Sequence, residues 1–83
     1  MPPRPVPAWT VLASYQTLGA DRCVDVFRRV DATFGFEEYR RDPEDQAGWF
    51  PVGSYAGREY PTEDAALSAA RRVVGWLADA LEP

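Results

Sequence analysis

The chain has 83 residues, with thirteen acidic side chains against nine basic ones and a net charge of −4. That length supports one core and one domain, and a composition 46% hydrophobic and 13% aromatic excludes a wholly disordered chain. The absence of histidine removes the usual general base and metal ligand, the single cysteine excludes an internal disulfide, and no stretch approaches the ~20 apolar residues of a membrane helix.

All nine basic residues are arginine. With abundant alanine and proline, that bias points to a GC-rich bacterial genome. A fold held without disulfides fits a reducing cytoplasm. MPPRPVPAW lacks the apolar core of a signal peptide, and its prolines favour extended backbone. Residues 1–8 therefore read as a proline-rich tail and residues 9–83 as a single α+β domain.

WTVLASYQTL, residues 9–18, permits a strand with Trp9, Val11, Ala13 and Tyr15 on one face, or a helix aligning Val11, Leu12, Tyr15 and Leu18. Its β-branched and aromatic content and the stop at Gly19 favour the strand. Gly19-Ala20-Asp21 supplies a turn. Residues 22–30 and 34–41 alternate with a period of two, the mark of paired strands. A helix over 21–30 is the rival reading, disfavoured because valines stiffen at χ1. Asp31-Ala32-Thr33 between them is a turn, slightly strained if Ala32 takes positive φ.

The register that joins valines to phenylalanines puts Val24, Val26, Phe34 and Phe36 on the core face. Cys23, Asp25, Phe27, Arg29, Glu37, Tyr39 and Arg41 then lie on the other face, where acids and arginines can pair across strands. DPEDQAG, residues 42–48, is an acidic loop. WFPVGSYAG gives an edge or irregular strand, because Pro51 cannot donate to a ladder.

From Thr62 the chain reads as one helix to about Leu81, with Thr62 as N-cap and Glu63 and Asp64 in its first turn. Ala66, Ala70, Val73, Val74, Leu77 and Leu81 form its apolar stripe, and Ala66, Ala70, Val73 and Leu77 are expected to face Val24, Val26, Phe34 and Phe36. Gly75 costs about 1 kcal/mol against alanine and suggests a close approach there. The expected architecture is an antiparallel meander of three to four strands followed by one C-terminal helix packed on one sheet face.

No residue pattern signals a reaction. Cys23 has no activating partner, and the adjacent acids at 37–38 point to opposite faces of a strand. No catalytic, cofactor-binding or metal-ligating residue is assigned, and no cofactor is expected. One helix covers one sheet face, so Phe27, Arg29, Tyr39, Arg41 and Trp49 form a candidate partner-contact surface on the other. Exposed aromatics beside arginine are preferred interface anchors. The expected role is a non-catalytic protein acting through a protein partner or as a homodimer. Nucleic-acid binding by the Arg28-Arg29 and Arg40-Arg41 pairs is the alternative. It is disfavoured by the negative net charge and by acids threaded through the same strands.

VFRRVDATFGFEEYRR, followed by VGSYAGREYPTEDAALSAARRVV, resembles a unit of the YegP-like small bacterial proteins. The resemblance covers about residues 23–75. It implies a hairpin around a polar turn, a third strand, a tyrosine, and a polar start to an alanine-rich helix. It implies no activity and assigns no functional residue.

Overall fold

The computed structural model describes residues 9–42, 44 and 48–81. The proline-rich segment 1–8 and most of the acidic loop 42–48 lie outside the described residues.

Four strands lie antiparallel in chain order: β1 (Trp9–Gln16), β2 (Arg22–Arg29), β3 (Phe34–Arg40) and β4 (Phe50–Pro51). Two helices follow, α1 (Glu63–Val73) and α2 (Gly75–Leu81). This is the expected α+β meander, with β1 a strand and β2 extended rather than helical. The β2–β3 register sets Val26 opposite Phe36 and Phe27 opposite Gly35.

The hairpin turn is built from Asp31, whose carboxylate accepts the Thr33 amide (3.1 Å) and hydroxyl (2.7 Å). The hydroxyl bond holds the Asp31 carboxyl below its ordinary pKa. Ala32 takes φ 69°, a left-handed conformation that an L-residue adopts at a cost. In the preceding turn the Thr17 hydroxyl donates to Asp21 at 2.7 Å and lowers that carboxyl too.

The main core fills the helix side of the sheet. Val24, Val26 and Phe36 meet Ala66, Ala69, Ala70, Val74 and Leu77, with Phe34, Tyr55 and Tyr60 packed at the margin. Alanines along α1 let that helix approach the strands closely. Thr62 caps it, its hydroxyl accepting the Ala65 amide at 3.0 Å.

Four expectations change. The helix is not continuous to Leu81: at Val74 the backbone opens to φ −100°, ψ 99°, so two helical segments cover the sheet. The break turns Val74 inward and leaves Val73 half exposed, so Val74 takes the place expected of Val73 against the sheet. Gly75 has nothing within 4 Å of where a Cβ would sit, so no close approach explains it. In β1 the register shifts between Val11 and Ala13. Leu12 is the extra residue of a bulge. Ala13 and Tyr15 join the helix-side core, while Trp9 stacks on Phe27 on the other side, so these four do not share one face.

Candidate interaction surface

The sheet face away from the helices carries the residues expected there, but it is not open. Cys23, Asp25 and Phe27 of β2 and Glu37 and Tyr39 of β3 are all buried. The expectation that Phe27 and Tyr39 stand exposed is therefore corrected. A second layer covers them, made of side chains from distant parts of the chain.

At one end, the Phe27 ring lies over Gly35, where a Cβ would come within 2.9 Å of it. Glycine is needed there because the ring occupies the space a side chain would take. Trp9 stacks on Phe27 with ring centroids 3.9 Å apart and planes 9° from parallel. The Arg29 guanidinium sits 5.0 Å from the Phe27 centroid. Arg29 also donates to the backbone carbonyls of Phe34 (3.2 Å), Arg58 (3.0 Å) and Ala56. It clips the hairpin to the 56–58 segment.

At the other end, Trp49 packs with Cys23 and Tyr39. The Arg41 guanidinium lies 4.9 Å from the Trp49 centroid, and its Nε donates to the Ala20 carbonyl at 3.1 Å. Between the two ends, the Cys23 thiol donates to Asp25 at 3.3 Å. A thiol has one hydrogen, so the Ser14 hydroxyl, 3.2 Å from the sulfur, donates to it.

Glu37 solves a backbone problem. After β4 the chain leaves the edge of β3 and returns to it only at Tyr60, which bridges Phe34. The amides of the detour need acceptors. The Glu37 carboxylate takes those of Tyr55 (3.0 Å), Ala56 (3.1 Å) and Gly53 (3.3 Å), as well as that of Glu38 (2.8 Å). On the helix side Glu38 accepts the Trp76 indole N–H at 2.9 Å and pairs with Arg22 at 3.3 Å.

All five sequence-derived contact residues are thus brought onto one face and used within the fold. Phe27, Tyr39 and Trp49 are buried, and Arg29 and Arg41 are tied to backbone carbonyls. What sequence reasoning missed is the pair of sheet edges. β4 is two residues long and contains Pro51, a protected edge. β1 is eight residues long, contains neither charge nor proline, and pairs among the described residues with β2 alone. Val11 and Leu12 on it are 44% and 42% exposed. The signal was present in WTVLASYQ, a strand that begins a meander and lacks the charges that usually blunt an edge.

Beside the end of β1, an open hollow of about 560 Å³ runs between Gln16–Gly19 and α2, floored by Trp76 and Ala80. It is mainly apolar, without the convergent polar groups that orient a small ligand.

No family model, no curated protein and no solved structure matches the chain.

Proposed function

We propose that this chain has no catalytic activity of its own and acts by contact with protein, through backbone pairing at the β1 edge. The observation that carries the reading is the contrast between the edges: β4 is short and carries proline, whereas β1 is long, uncharged and apolar. An exposed strand edge is a template for another strand, and nature ordinarily blocks it when no partner is intended. Of the four arginines that the nucleic-acid alternative requires, Arg29 and Arg41 serve internal carbonyls, which leaves Arg28 and Arg40. Cys23, the one nucleophile of note, is fully buried and presents nothing to a substrate. A buried thiol that forms no disulfide suits the bacterial cytoplasm proposed as its compartment. No helix among the described residues is long and apolar enough to cross a membrane. Kinship with the YegP-like proteins is likewise a proposal, supported by the order of three strands and a helix over residues 22–73.

The test is capture from a cell extract by the wild-type chain, by Val11→Lys on β1 and by Phe50→Lys on β4. Both sites are about half exposed, and a lysine stem can lie along the surface with its head in water. Capture by wild type and Phe50→Lys, lost with Val11→Lys, is expected. Equal capture by all three, or none by any from a chain that also stays single when purified, overturns the reading.

A further inference from the structure

We infer that the strand that pairs with β1 is the β1 of a second copy, running antiparallel, with Trp9 opposite Gln16 and Val11 opposite Ser14 of the second copy. This rests on the reading that the β1 edge is a pairing site and adds the partner and the register.

The argument begins with the phase of the backbone. In an antiparallel sheet alternate residues direct both N–H and C=O to one neighbour, and the residues between direct theirs to the other side. The Thr17 amide donates to the Arg22 carbonyl at 3.2 Å. Counting back from Thr17, Tyr15 and Ala13 face β2, while Gln16 and Ser14 face outward. From the β2 side, the Arg29 amide goes to Thr33 in the hairpin, so odd-numbered β2 residues face β3 and even-numbered ones face β1. Ala13 and Tyr15 do lie opposite the even-numbered Val26 and Val24. Thr10 lies opposite Arg28 and so also faces β2. The outward residues are therefore Trp9, Val11, Ser14 and Gln16.

The bulge makes this set distinctive. Between Val11 and Ser14 the spacing is three residues instead of two, because Leu12 is the extra residue. A regular strand laid along the edge offers two residues where β1 offers three, and falls out of step beyond the bulge. A second β1 running the opposite way offers three against three. A twofold axis between Leu12 and Ala13 maps Trp9 onto Gln16 and Val11 onto Ser14, so all four outward residues meet outward residues. Such an isologous contact closes at two copies.

Side-chain faces agree with the same axis. Trp9, Val11, Ser14 and Gln16 lie opposite Arg29, Phe27, Asp25 and Cys23, all on the face away from the helices. The axis keeps the helices of both copies on the other face, where each α2 lies against its own β1. No charge on β1 meets its like across the pair. The product is a continuous eight-stranded sheet with Leu12 and Ala13 at its centre, flanked by Val11 and Ser14.

The experiment uses the purified chain alone. Sedimentation over a concentration series is expected to show a mass rising from one chain towards two. Val11→Lys should move the midpoint at least tenfold to higher concentration, with its circular dichroism unchanged, and Phe50→Lys should leave it in place. Amide exchange should slow at Trp9, Val11, Ser14 and Gln16 as concentration rises. In a mixture of labelled and unlabelled chain, isotope-filtered NMR should show Val11 touching Ser14 across copies. A mass of one chain throughout overturns the inference, whether those amides exchange freely or are protected from within the chain. A dimer that survives Val11→Lys, or that shows β4 contacts, overturns it too. If the purified chain stays single while capture from extract still depends on Val11, only the second copy is wrong; if that capture also fails, the pairing reading falls with it.

Discussion

Phe27 loses all of its solvent exposure between Gly35, Trp9 and Arg29, although it sits on the strand face opposite α1 and α2. Its environment is that of a core residue, and its removal should be felt as one. Phe27→Ala is expected to lower stability by about 3–5 kcal/mol, the usual range for deleting a buried ring. That is a large part of the ~5–15 kcal/mol that holds a domain together. Val30, three residues on and 88% exposed, is the control: Val30→Ser should change stability by about 0.5 kcal/mol or less. Chemical denaturation of the two variants makes the comparison. A loss at Phe27 no larger than at Val30 would show that the ring is not packed as described. Alternation in the sequence located Phe27 on the correct face. It could not report the covering, because Trp9 and Trp49 come from outside the hairpin and a period of two carries no information about distant neighbours.

Among the elements, the strands of the hairpin were legible because each has a strict period of two and the register follows from matching valines to phenylalanines. The interruption between α1 and α2 was not. The stripe through Val73, Val74 and Leu77 is compatible with one helix, and a glycine penalty of about 1 kcal/mol is too small to end a helix by itself. Packing is what favours the break: with ψ at 99°, Val74 enters the core and Trp76 reaches Glu38. The Val74 amide still bonds Ala70 and its carbonyl still receives the Leu77 amide, so little hydrogen bonding is lost. Gly75 begins α2 and is open to solvent on its Cβ side. Gly75→Ala should therefore stabilise the protein by about 0.4–1 kcal/mol through the unfolded state. A raised midpoint of thermal unfolding checks this, and a lowered one would mean the glycine serves a conformation that alanine cannot take. The β1 bulge was equally hidden. Apart from Leu12, WTVLASYQ alternates, and the extra residue is defined only by the pairing of β1 with β2.

At the scale of the whole molecule, β2 and β3 are buried on both faces, continuously from Cys23 to Phe27 and from Gly35 to Tyr39. The helix-side core and the Trp9–Trp49 layer share these strands, so neither can melt while the other keeps its native sheet. Unfolding should be all-or-none. Three tryptophans report on it from different places: Trp9 on Phe27, Trp49 on Cys23 and Tyr39, and Trp76 on Glu38. In variants that retain one tryptophan each, with the others replaced by phenylalanine, every fluorescence transition in denaturant should coincide with the circular dichroism transition of the same variant. Glu38→Ala tests the coupling directly. It removes the acceptor of the Trp76 indole and the partner of Arg22, so the Trp76 and circular dichroism transitions should move to lower denaturant together. The outcome that would break this account is a Trp49 transition well below the unfolding of the sheet in the chain with Glu38 intact. The layer over Tyr39 and Cys23 would then open as a unit of its own, and the far face of the sheet would be available to a partner after all.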